Sequence, residues 1–144
     1  MDYQLFDDLE REMEERQSLL WFDMQLSDMA PEREAQQILN QIAAEEMEML
    51  DELQKLYYSF MKQNYFCEDR PKPQLVRYED GLRNRILREI RTEQDYGEQY
   101  AKSADATICK AMFLQFSASL QRVQRLTYLL ICSEKNSARR TVGV

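Results

Sequence analysis

Two stretches of this 144-residue chain space side chains capable of chemistry in the same way. Glu15 is followed seven residues later by an aromatic, Phe22, and Glu89 is followed seven residues later by Tyr96. Glu46 lies 31 residues after Glu15, and Leu120 lies 31 residues after Glu89. On that interval Ile42-Ala43-Ala44-Glu45-Glu46-Met47-Glu48-Met49 aligns with Phe116-Ser117-Ala118-Ser119-Leu120-Gln121-Arg122-Val123. Carboxylates at such points can bind hard cations, exchange protons or pair with guanidinium groups. Equal spacing in both halves points to an internal repeat. The chain contains no histidine, so every mechanism that needs an imidazole base or ligand is excluded. Its three cysteines, Cys67, Cys109 and Cys132, form no CxxC motif, which argues against a zinc ribbon or a disulfide scaffold. They read as small hydrophobes.

The elements that position these residues are helices. Leu5, Leu9, Met13, Leu20 and Met24 recur at threes and fours and predict a first amphipathic helix from about residue 3 to 28. Pro31 and the acids after it open a second, carrying Ile38, Leu39, Ile42, Glu46, Met49, Leu53, Leu56 and Phe60 and ending near Tyr65. Asp69-Arg70-Pro71-Lys72-Pro73 is the strongest linker, because proline cannot continue a helix and biases its predecessor toward extended geometry. A third helix is expected from Tyr78 to Ala104 through Leu82, Ile86, Glu89, Ile90 and Tyr96. Asp105 is the expected N-cap of a fourth, running through Phe113, Phe116, Leu120, Val123 and Leu126 to about Ser133. Two helical hairpins joined by a crossover predict an all-α, up-down four-helix bundle over residues 1–134, with 135–144 a flexible tail. The breaks between the helices argue against the alternative of a coiled-coil dimer.

Composition narrows the function classes. Only three glycines and three prolines disfavour a turn-rich β protein, and no apolar run reaches the roughly 18 residues of a membrane span. The N-terminus is acidic, unlike a signal peptide, so a cytoplasmic location is expected. Residues 1–70 carry 18 acids and 6 bases, a net −12, whereas residues 71–144 carry 8 acids and 13 bases, a net +5. Nucleic acid is a poor partner for a chain of net charge −7 without a strongly clustered basic surface. Arg122, Arg125, Arg139 and Arg140 form the main basic grouping, which reads as a solvated face able to meet an acidic partner. The acidic stretch Glu10 to Glu15, within the chain or in a second copy, is one such partner.

The stretches Glu89-Ile90-Arg91-Thr92-Glu93-Gln94-Asp95-Tyr96, Ile42-Ala43-Ala44-Glu45-Glu46 and Leu56-Tyr57-Tyr58 resemble the rubrerythrin-type branch of the ferritin-like superfamily. Tyr78-Glu79-Asp80-Gly81-Leu82 is similar to the third-helix entry of small, rubredoxin-less bacterial members. The resemblance covers about residues 5–131 and implies a ferritin-like bundle acting as a homodimer. It also implies a di-iron site built from a Glu on each of the first and third helices and a Glu-x-x-His on each of the second and fourth. Carried over by position, Glu15, Glu46 and Glu89 stand at three metal-ligand positions, Met49 and Val123 replace the two His, and Leu120 replaces the remaining Glu. Tyr96 matches an inward aromatic of the family, and Phe22 lacks the hydroxyl at the equivalent place. The site is therefore degenerate, and no rubredoxin-like electron-transfer module is encoded.

Glu14, Glu45 and Glu93 compete with these three, since a one-residue shift in register turns a different carboxylate inward. Buried carboxylates need a cation, a proton or an ion-pair partner. Arg11 and Arg85, four residues before Glu15 and Glu89, are placed to provide the last, with Tyr96 as a further donor. Three functions follow. The first is a non-catalytic binding or structural bundle with no cofactor. The second is a rubrerythrin-type oxidoreductase or iron-handling protein holding a single Fe or Mn on Glu15, Glu46 and Glu89. The third is an adaptor unrelated to metals, with those three carboxylates pointing outward.

Overall fold

The computed structural model describes residues 3–69, 71–72 and 74–142, and among these the regular elements are four α-helices with no strand. They are α1 (Tyr3–Met29), α2 (Arg33–Met61), α3 (Tyr78–Lys102) and α4 (Ala106–Val142). The all-α fold class matches the expectation from periodicity. Contacts divide the chain into two compact units, Met1–Leu75 and Val76–Val144, and each holds one helical hairpin, α1 with α2 and α3 with α4.

In the first hairpin the helices run antiparallel, as the paired residues show. Phe6 meets Phe60 edge to face at 6.1 Å, Tyr57 donates its hydroxyl to Glu10 at 2.9 Å, and Ser27 donates to Asn40 at 2.6 Å. Leu19, Leu26, Leu39 and Ile42 are fully buried, each removal from water stabilising by about 1.5–3 kcal/mol. α2 ends at Met61 rather than near Tyr65, because Lys62 takes the left-handed conformation (φ 57°) and its N–H closes on the Tyr58 carbonyl. The chain then turns back along α1. The Gln54 amide holds both the N–H and the carbonyl of Tyr65, while Tyr65 Oη and the Glu68 N–H both donate to Glu14 Oε1. Arg70 and Pro73 of the expected linker lie outside the described residues.

The second hairpin follows the same logic. Asp105 Oδ1 accepts the N–H groups of Thr107 and Ile108, the N-cap its sequence position called for. Leu82, Leu126 and Leu129 are buried, and Tyr100 packs on Phe113 at 5.9 Å. α4 does not stop near Ser133. It continues as helix through the expected tail to Val142, where the described residues end. Across that extension Ser133 and Ser137 donate to Glu79 Oε1 of α3 at 3.0 and 2.9 Å, and Arg83 reaches Glu134 at 2.9 Å. These side-chain bonds tie the last turns of α4 to the first turn of α3.

Candidate functional site

Each hairpin buries a glutamate and meets it with guanidinium. In the first, Glu46 of α2 and Arg16 of α1 are each about 1% exposed. Arg16 Nη1 lies 3.3 and 3.1 Å from the two Glu46 oxygens, and its Nε donates to Glu12 at 3.1 Å. One cation thereby serves a buried and a half-buried carboxylate. Asp23 is fully buried on the same helix, two turns further on.

In the second hairpin Glu89 of α3 is fully buried between two cations. Arg85 Nη1 donates to Oε2 at 2.7 Å from one turn earlier on α3, and Arg122 Nε donates to Oε1 at 2.8 Å from α4. Arg122 also reaches Ser119 Oγ at 3.4 Å. Burial by itself pushes the Glu89 carboxyl up, but Arg85 and Arg122 outweigh it through charge and hydrogen bonding and hold it at about 2. Glu89 is ionised across the physiological range, and both of its oxygens are engaged.

Of the three carboxylates singled out by sequence, Glu46 and Glu89 are buried and Glu15 is exposed. The inward place on α1 belongs to its neighbour Arg16. Arg11 pairs at the surface with Asp8, at 3.3 Å. The same one-residue shift occurs on α4: Leu120 is 36% exposed and Val123 half-buried, while Ser119 and Arg122 face the core. Arg122 therefore does not belong to a solvated basic face, because its guanidinium is needed by Glu89. With the register corrected, the repeat interval becomes 30 residues in both hairpins, from Arg16 to Glu46 and from Glu89 to Ser119. The carboxylate has changed helices between the halves: the first hairpin places it on its second helix, the second hairpin on its first.

Met49, at the expected first His position, is half-buried, and both Phe22 and Tyr96 are buried. Cys67, Cys109 and Cys132 are free and half-buried. Burial and the charge of Glu14 push the Cys67 thiol up, away from the reactive thiolate. Among the described residues no group of three or more His, Cys, Asp or Glu is placed to hold a metal ion. No helix among them is long and apolar enough to cross a membrane.

Sequence reasoning found Glu46, Glu89 and Arg85 but missed Arg16, Asp23 and Ser119. The available signal was the phase of the stripe itself. Leu9, Met13, Arg16, Leu20, Asp23 and Ser27 continue one helical face at threes and fours, a pattern visible only when Arg16 and Asp23 are counted with the apolar residues. Comparison of the chain with family models, curated proteins and solved structures finds no match.

Proposed function

We propose that this chain is a ferritin-like protein of rubrerythrin type that has given up di-iron catalysis and acts as a cytoplasmic, non-catalytic binding or structural bundle, working as a homodimer. The observation that carries this reading is the engagement of Glu89 by Arg85 and Arg122. A carboxylate that ligates iron must direct lone pairs at the ion, and here both oxygens already accept charge-assisted bonds. A divalent ion about 4 Å from a guanidinium would also meet a repulsion of about 8 kcal/mol at an effective dielectric near 20. Two guanidiniums oppose one carboxylate, so the local balance favours the ion pairs over a metal. Glu46 is supplied in the same way by Arg16.

A binding role is supported by what α4 leaves uncovered. Its buried face, Ser119, Arg122, Leu126 and Leu129, packs in the second hairpin, while Leu120 and Ile131 are exposed on the roughly opposite side. The test is metal content per chain of untagged protein after anaerobic dialysis against iron(II) and manganese(II), since a His-tag would supply the missing imidazoles. Fewer than about 0.1 ion per chain is expected from the carboxylate–guanidinium pairing. Near one ion per chain, lost on combined Glu46→Ala and Glu89→Ala substitution, the metalloprotein reading replaces this one.

A further inference from the structure

Trp21, the single tryptophan of the chain, projects from α1 with the Lys72 ammonium 3.4 Å from its ring centroid. The face of this indole is thus already used as a cation site, the interaction expected of a ring quadrupole. Around it lies a groove of about 440 Å³, whose lining among the described residues includes Glu14, Glu15, Glu68 and Asp69 beside Arg11 and Lys72. Asp69 and Trp21 also line an adjoining groove of about 630 Å³ with Asp28. The whole unit is acidic: residues 1–75 hold 18 acids and 7 bases.

Complementary chemistry exists on the same chain. Residues 76–144 hold 12 bases and 8 acids, and the last turn of α4 carries Arg139 and Arg140, both exposed. α3 begins at Tyr78, and its first turn is met by Ser133 and Ser137 through Glu79. α4 continues beyond Ser137 to Val142, so the two arginines extend past that contact.

We propose that the acidic groove around Trp21 receives the Arg139–Arg140 turn of α4 from a second copy of the chain. A guanidinium stacks on an indole more readily than an ammonium and sheds water at lower cost, so it competes with Lys72 for the ring while its fork meets the groove carboxylates. A second copy is the occupant because each chain supplies one acidic groove and one basic helix end. Reciprocal exchange then makes two identical contacts and closes at a dimer. The inference rests on the homodimer reading above and deepens it by naming the two surfaces through which the copies meet. Its support is the charge and ring geometry of Trp21 and not Glu46 or Glu89, so a metal-loaded protein would overturn the non-catalytic reading and leave this one standing.

The experiment is sedimentation of the full, untagged chain, with circular dichroism of every variant to confirm helix content. The expected result is a dimer whose dissociation constant rises at least about tenfold from about 0.05 to 0.5 M salt. Arg139→Glu with Arg140→Glu, and separately Glu15→Arg with Asp69→Arg, should each give monomers. Mixing the two variants should restore a dimer, because each then offers the charge that the other lacks, with a change in Trp21 emission on mixing. The proposal is overturned by a wild-type monomer at low salt, by variants that dimerise like wild type, or by a mixture that stays monomeric. A change in Trp21 emission on Arg139→Glu/Arg140→Glu substitution at concentrations where the chain is monomeric would place the contact within one copy, and would overturn it too.

Discussion

Arg122 on α4 donates its Nε–H to Glu89 Oε1 on α3 at 2.8 Å, with both side chains removed from solvent. The pair joins residues 33 apart in sequence and is the central polar link of the second hairpin. Its strength is conditional. An ion pair in such a place gains little over well-packed apolar side chains, yet removing one partner strands the other.

Arg122→Met should therefore destabilise the protein by about 3 kcal/mol, the usual cost of breaking a buried pair. Arg85 remains to hold Glu89, which keeps the loss at the lower end of that range. Adding Glu89→Gln should not recover it, because the fully buried Arg85 then loses its counter-charge on Glu89. Urea denaturation of the two single variants and the double variant measures the coupling between the residues.

Helix existence was legible in sequence because apolar residues recur at threes and fours and Pro31, Pro71 and Asp105 mark the breaks. Helix ends were not. α2 stops at Lys62 because that residue adopts φ 57° and the Gln54 amide clamps Tyr65, a contact eleven residues long that no local pattern encodes. α4 continues past Ser133 because Ser133, Glu134 and Ser137 find partners on α3 more than fifty residues away. The candidate site was half legible. Glu46 and Glu89 fall on strongly periodic stretches. Arg16 received no inward reading and Arg122 was assigned outward by its charge, and neighbouring residues on a helix are about 100° apart, so a one-residue slip put Glu15 and Val123 in their places.

The first hairpin should tolerate loss of its pair better when both partners go together. Arg16→Met alone leaves Glu46 buried without its cation and should cost about 3–5 kcal/mol. Arg16→Met with Glu46→Met, which replaces both by apolar side chains of similar length, should come within about 1 kcal/mol of wild type or exceed it. Thermal and urea denaturation of the single and double variants distinguish the two costs.

Asp105 caps α4 through two backbone N–H groups. Asp105→Ala should cost about 1 kcal/mol, and Asp105→Asn much less, because the amide oxygen still accepts. Hydrogen exchange should show faster opening confined to the first turn of α4, with the amides near Leu126 unchanged.

The most direct test of guanidinium-held carboxylates is the titration of Glu89 itself, followed through its side-chain carboxyl carbon by nuclear magnetic resonance. Its folded value lies below the ordinary 4.5, so its contribution to stability is complete above the unfolded value and is lost as pH falls from there toward about 2. The expected result is a carboxylate signal that stays ionised through the ordinary glutamate range and protonates near 2 or with acid unfolding, with Glu89→Gln flattening the acid limb of the stability profile. A Glu89 that titrates at or above 4.5 in the folded protein would contradict the pairing with Arg85 and Arg122, and with it the reading of this chain as a bundle whose buried carboxylates are committed to ion pairs.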